Sequence, residues 1–249
     1  MDMNTKTIAS SDEQEMRSRF FELYKKNPIP DKEQLSNIGL FMKRQELTKI
    51  LFFQELYAHI LPVHGVIMEF GVRWGQNLVT LTNLRGIYEP FNYSRKIIGF
   101  DTFEGFPSVH EKDGTHQSIE KGAFNVTENY EKYLQKTLDY HTGEAPLNHI
   151  PKNELVKGDA VLMLEKYLKE HPETVIAMAY FDFDIYEPTK KCLELIKPYL
   201  TKGAVIGFDE VGDPGFPGET IAVKETFGIE NISLRRFRYG GIQSYIIIE

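Results

Sequence analysis

Apolar positions in this chain follow two different periods. In the first sixty residues they recur at three and four. Residues 12–26 read as an amphipathic helix ended by Asn27-Pro28-Ile29-Pro30. A second start signal, Asp31 with Glu33 and Gln34, leads into helical sequence as far as residue 60. Leu47, Ile50, Leu51 and Tyr57 supply its apolar stripe and Gln54 is a polar break. Pro62 and Gly65 stop it. Residues 1–12 carry no such pattern and are expected to be frayed or disordered.

From residue 65 onward the pattern becomes short continuous apolar runs, several closing on an acid, separated by helical stretches. Strands are expected over 65–70, 96–101, 154–159, 175–183 and 204–209, with helices over 77–88, 160–170 and 188–200. Two more strand-like runs, 232–239 and 244–248, flank Gly240-Gly241. Strand and helix alternating in this way predict an α/β fold, a Rossmann-like, mostly parallel sheet covered by helices, with an antiparallel hairpin at its C-terminal edge. The domain reading is a helical extension over 1–60, acting as a cap or an oligomerisation element, and a main domain over 61–249. That domain contains an insertion, 103–153, which is polar and carries His110, His116, His141 and His149. Loops of that length in compact domains are commonly lids or binding loops.

Composition narrows the function. The chain has 249 residues, enough for one large core. Its 29 basic and 36 acidic residues leave a net charge of −7, which disfavours a nucleic-acid partner or an anionic membrane surface. The single cysteine, Cys192, excludes an internal disulfide and any multi-cysteine zinc site. No apolar run is long enough to span a bilayer, and the polar N-terminus lacks the build of a secretion signal, so a cytoplasmic location is expected.

The chemistry concentrates where the strands end. Ligands of open parallel sheets bind outside the carboxyl ends of the strands. Those ends carry Glu69, Asp101, Asp159, Asp182 with Asp184, and Asp209 with Glu210. Some of these acids are expected only to cap the helices that follow, but five such ends together form an acidic crevice that calls for a cationic ligand. The first turn, Glu69-Phe70-Gly71-Val72-Arg73-Trp74-Gly75, has glycines for a tight turn but lacks the G-x-G-x-x-G spacing of a dinucleotide site. An acid there suits an amine or a sulfonium, and Asp101 is placed for ribose hydroxyls. The combination points to S-adenosylmethionine. Asp182 and Asp184, two apart, share a face of an extended strand, and with Asp209 and Glu210 they form a hard oxygen set for Mg²⁺ or a similar ion. On the alternative reading Asp184 caps the next helix and Glu210 is solvated.

In this order, MEFGVRWG, IIGFDTFEGFP, YFDFDIYEPT and VIGFDE resemble the macrocin O-methyltransferase (TylF-type) family of class I methyltransferases over residues 66–225. The resemblance implies an S-adenosylmethionine-dependent, Mg²⁺-assisted O-methyltransferase acting on a sugar, glycan or natural-product hydroxyl. The cofactor contacts expected are Glu69, Gly71, Gly75, Asp101, Thr102, Phe103, Asp159 and Asp182, with Asp159 near the adenine. Asp184, Asp209 and Glu210 match the family's metal ligands, although Glu210 stands where the family usually has aspartate. His116 is the nearest match to the family's base and, with Asp182, makes up the expected catalytic pair.

The expected reaction is in-line displacement at the sulfonium methyl by an acceptor oxygen, with a divalent ion stabilising the developing alkoxide. The expected partners are a small-molecule or glycan acceptor and further copies of the chain. Rival readings are a catechol or phenol O-methyltransferase, a nicotinamide dehydrogenase, disfavoured by its missing fingerprint, and a non-catalytic methyltransferase-like binding domain. Trp74 is expected in the core or pocket wall, Cys192 as a packed thiol, and Arg235, Arg236 and Arg238 as a solvated face.

Overall fold

A computed structural model of the chain describes residues 9–249; residues 1–8, part of the segment expected to be frayed, lie outside the described residues. Helix α1 (Ser11–Lys25) opens on a capping box in which Ser10 and Glu13 each accept the other's backbone N–H. The helix expected to run on from Asp31 is broken. It forms α2 (Asp31–Gln34), then a 3₁₀ stretch (Leu35–Phe41), and resumes as α3 (Arg44–Ile60). Met42 and Lys43 are extended at the break, and Gly39 weakens the segment before it. None of residues 9–51 is buried.

Seven strands form one sheet in the order β3-β2-β1-β4-β5-β7-β6. They are β1 (Val66–Phe70), β2 (Ile97–Asp101), β3 (Asn153–Lys157), β4 (Ile176–Phe181), β5 (Leu200–Phe208), β6 (Arg235–Arg236) and β7 (Ser244–Ile247). The first five pair in parallel, and β7 pairs antiparallel with both β5 and β6. The expected C-terminal hairpin is therefore present, although β6 keeps only two residues of the run 232–239. The order reverses between β1 and β4, the switch point where α/β sheets open a crevice.

The sheet separates two cores. On one face α3 and α4 (Gln76–Tyr88) bury Phe52, Phe53, Leu56, Tyr57, Leu78 and Leu81 against Ile67, Met178 and Tyr180. A division at residues 60 and 61 would pass through this core, because α3 belongs to it. On the other face α6 (Ala160–Glu170) and α7 (Tyr186–Ile196) cover Met68, Ile98, Ala179 and Ile206. Register places Phe100, Phe70, Phe181 and Phe208 side by side across four strands, with successive ring centroids 5.2, 4.7 and 6.0 Å apart. This aromatic row lies just under the strand ends, and truncating Phe70 to alanine would cost about 3–5 kcal/mol. Cys192 is buried in this second core, as expected of a packed thiol.

Two helices have no counterpart in the pattern of the sequence. Helix α5 (Tyr130–Glu144) lies inside the insertion expected to be a polar loop, and buries only Leu134 and Leu138. Helix α8 (Pro217–Phe227) follows the turn-rich Asp213–Gly218 segment. Two buried anchors among many exposed polar residues make a weak periodic signal, and the glycines and prolines before α8 read as loop. Among the described residues no helix is long and apolar enough to cross a membrane.

Candidate active site

The turn after β1 depends on a close approach of two backbones. Gly71 has φ +93°, and a Cβ there would stand 2.1 Å from the carbonyl oxygen of Asp182. Only glycine lets the β1 and β4 ends converge this way. Gly75, at φ +79°, starts α4 and lies against Leu134 of the insertion helix. Asp101 ends β2 with both oxygens engaged by that turn and the next: Oδ2 accepts the Arg73 N–H and Oδ1 the Phe103 N–H, each at 2.6 Å. Asp159 caps α6, its Oδ1 accepting from the N–H groups of Val161 and Leu162. The cap reading considered for the strand-end acids thus applies to Asp159.

It does not apply to Asp184. The first N–H of α7, that of Tyr186, donates to Asp113 Oδ1 at 2.6 Å, and Asp113 Oδ2 accepts the His110 N–H. The insertion thereby pins the turn in which Asp184 takes a left-handed φ of +61°, unusual outside glycine. Asp182 and Asp209 are held from behind. Asp182 Oδ2 accepts from Lys49 Nζ at 3.3 Å and Asn77 Nδ2 at 3.2 Å. Asp209 Oδ1 accepts from the Tyr180 hydroxyl at 2.6 Å and Gln243 Nε2 at 3.1 Å, with Lys49 Nζ 3.4 Å away.

Asp101, Asp159, Asp182, Asp184 and Asp209, with Lys49 and Asn77, line one cavity of about 320 Å³ at the β1/β4 switch point. Its lining includes Gly71, Gly75, Asp101, Thr102 and Asp159 from the β1, β2 and β3 ends, and Asp182, Asp184, Asp209 and Glu210 from the β4 and β5 ends, with Lys49 against Asp182 and Asp209. Trp74, 42% exposed, stands at the wall with its ring edge-on to Tyr130. Phe103 and Glu69 are buried and do not join the lining. His116 does not join this lining: its ring packs on Phe216 with centroids 4.8 Å apart, and its Nδ1 accepts the Ser118 N–H. Arg235 and Arg236 are exposed, and Arg238 donates to Glu55 at 3.2 Å.

The acids at the β4 and β5 ends carry raised proton affinities. Burial pushes the Asp182 carboxyl up, Asp209 pushes it further, and Lys49 opposes both. Asp184 is raised by burial and by Asp182 and Asp209; Glu210 is raised by burial and by Asp184 and Asp209. Glu219 of α8, completely buried, is raised by burial and Asp209; its Oε2 accepts the Glu210 N–H while Oε1 has no partner. Burial acts to lower Lys49, but Asp182 and Asp209 outweigh it and hold the ammonium above its ordinary value.

Orphaned oxygens show which ligands the site suits. Both Glu69 oxygens are buried with no hydrogen bond of good geometry, and burial and the Asp182 charge raise the carboxyl well above its ordinary value, opposed by the nearby Asn77 amide and Lys49. A buried unpaired acid is costly unless a cation or donor reaches it, which suits a ligand carrying an ammonium or sulfonium. Glu210 Oε2 is likewise buried and unpartnered. Among the described residues no group of three or more acids, histidines or cysteines is arranged as a ready ion cage. The donor set of Asp184, Asp209 and Glu210 is nonetheless all hard oxygen and short of positive charge, which fits a hard divalent cation in chemistry.

Neither a protein-family model nor a curated protein matches the chain. Solved structures do. CalS11, a calicheamicin methyltransferase, is 42% identical, with 99% of this chain and 96% of that one covered and a TM-score of 0.93. An apo structure of CalS11, described as a TDP-rhamnose 3′-O-methyltransferase of calicheamicin biosynthesis, is 39% identical over 99% of both chains, with a TM-score of 0.84. The chain belongs to the macrocin O-methyltransferase (TylF-type) family. It is an S-adenosylmethionine-dependent O-methyltransferase with the Rossmann-like class I fold. The O-methyltransferase NovP, 16% identical over 81% of this chain and 79% of its own, with a TM-score of 0.60, shares the fold.

Four residues around the cavity escaped the sequence: Lys49, Asn77, Asp113 and Glu219. Lys49 and Asn77 read as ordinary polar positions of helices, and Asp113 as one acid in a polar insertion. Glu219 sits in the first turn of α8, where an acid favours the helix dipole wherever that turn lies.

Proposed function

We propose that this enzyme methylates a sugar hydroxyl, carried on a sugar nucleotide or a related glycoside, with Mg²⁺ or a similar ion held at Asp184, Asp209 and Glu210. The observation that carries the reading is the meeting of Asp101 and Asp159 with Asp182, Asp184, Asp209 and Glu210 around one cavity. The sugar-nucleotide substrate of CalS11, 39% identical over 99% of its length, supports the acceptor class.

Glu69, buried near the end of β1, compensates the cationic end of S-adenosylmethionine through its charge, and Asp101, already held by two backbone N–H groups, accepts from the ribose hydroxyls. Thr102, Phe103 and Asp159 flank the nucleoside. The acceptor oxygen attacks the methyl carbon in line with the sulfonium; the new O–CH₃ bond forms as the S–CH₃ bond breaks, and S-adenosylhomocysteine leaves with the electron pair. The divalent ion, when bound, stabilises negative charge on the acceptor oxygen. Asp182 takes the hydroxyl proton. Its Oδ2 is occupied by Lys49 and Asn77, which leaves Oδ1, and its raised affinity for protons suits it to the task. His116 would serve only if the insertion carrying it moved from Phe216 toward the cavity. Residues 9–43 form a cap or a contact between copies of the chain, consistent with a segment that buries nothing of its own.

The test is transfer of radiolabelled methyl from S-adenosylmethionine to a panel of deoxysugar nucleotides, glycosides and catechols. Sugar nucleotides should be labelled in Mg²⁺, and excess chelator should abolish the transfer. Labelling of catechols alone would sink the acceptor class, and full turnover in chelator would sink the metal.

A further inference from the structure

Helix α3 runs for about two turns before its buried residues begin. Phe52, Phe53, Leu56, Tyr57 and Ile60 pack it on the sheet. Lys49, one turn before Phe52, is not among those buried residues; it reaches into the cavity, its side chain 26% exposed, and ends between Asp182 Oδ2 at 3.3 Å and Asp209 Oδ1 at 3.4 Å. Tyr180 and Gln243 already occupy the same Asp209 oxygen, and Asn77 the same Asp182 oxygen. Two neutral donors on one acid and one on the other suffice for hydrogen bonding, so the distinctive contribution of Lys49 is its charge. Among the described residues it is the cation paired with this acid cluster.

We propose that Lys49 is a positioning residue that acts as a resident cation. It holds Asp182 and Asp209 with one oxygen each turned inward, and its charge competes with a divalent ion for the cluster. The enzyme then folds around its acids without metal and binds the metal weakly enough to exchange. This rests on the reading of Asp184, Asp209 and Glu210 as the metal ligands. Like charges a few ångström apart in a partly buried site oppose each other strongly, so a neutral side chain at position 49 should tighten metal binding. A scaffolding role would do the reverse, because a loosened cluster binds metal less well.

The experiment is calorimetric titration of MgCl₂ alone into the full chain, comparing wild type with Lys49→Met, Lys49→Gln and Lys49→Arg, beside an S-adenosylhomocysteine titration as a check on folding. Mg²⁺ affinity should rise about tenfold or more in the two neutral variants and stay within about threefold of wild type in Lys49→Arg. Unchanged or weaker Mg²⁺ binding in both neutral variants would overturn the inference, as would their unfolding, which would assign Lys49 to stability. A wild type that takes up no Mg²⁺ would count against the metal reading by itself. Binding gained in the neutral variants would then still support Lys49 as the resident cation, and no gain would overturn it.

Discussion

The two walls of the cavity treat their carboxylates in opposite ways. On the β2 side Asp101 receives two short backbone N–H bonds and Asp159 two more at the start of α6. On the β4 and β5 side Asp184, Glu210 and Glu219 face one another, with proton affinities raised by burial and mutual repulsion. The protein itself compensates the first set, which makes rigid hydrogen-bond acceptors. The second set keeps its cost until a cation or a proton arrives, which suits it to the metal role proposed above. Glu69, on β1, shares the raised proton affinity of the second set, pushed up by burial and by Asp182.

Substitutions can break this contrast. The largest effect is expected at Asp184. Asp184→Asn should lower kcat by roughly 100-fold or more while the S-adenosylmethionine Kd changes by less than about threefold; steady-state kinetics beside calorimetry will separate the two, and a Kd that moves with kcat would merge the walls into one site. Next is Glu69→Gln, which keeps the shape and removes the charge. Cofactor affinity should weaken about ten- to hundredfold while the melting temperature of the free protein rises, because a neutral amide replaces an unpaired buried acid. An unaltered Kd would remove Glu69 from the cofactor set.

Asp113→Asn probes whether the turn carrying Asp184 is held from the insertion. The amide keeps one acceptor and loses the other, so denaturant unfolding should show a loss of about 1–3 kcal/mol, with methyl transfer reduced more than cofactor binding. The smallest effect is expected away from both walls, at the Glu225 cluster. Lys112, Lys190 and the Tyr186 hydroxyl hold that carboxyl down, to about 2 from an ordinary 4.5. Its folded-state value is depressed, so its contribution is complete above pH 4.5 and is lost as the pH falls toward 2. The melting-temperature gap between wild type and Glu225→Gln should therefore close over that acidic range; a gap that widened there would contradict the sign.

Much of the site was visible in the sequence for a simple reason. A parallel sheet brings the residues after its strands to one edge, so Glu69, Asp101, Asp182, Asp184, Asp209 and Glu210 were legible as neighbours from strand ends alone. What came from elsewhere was not. Lys49 arrives on a helix before the first strand, Glu219 on a helix hidden behind a glycine- and proline-rich loop, and Asp113 from an insertion with little apolar pattern. Each acts through tertiary contact, which leaves no local period. His116 shows the converse: its residue type and its place in the insertion suggested a base, while packing set its ring on Phe216.

The sequence by itself determined the α/β alternation, the switch-point crevice and the acid at each strand end, because hydrophobic period and strand punctuation are local properties of a chain. Only the tertiary structure decided which acids are compensated. Whether a carboxylate finds a backbone N–H, an ammonium or another carboxylate depends on which turn, helix or insertion folds against it, and that is set by packing between segments far apart in the chain, 133 residues in the case of Lys49 and Asp182.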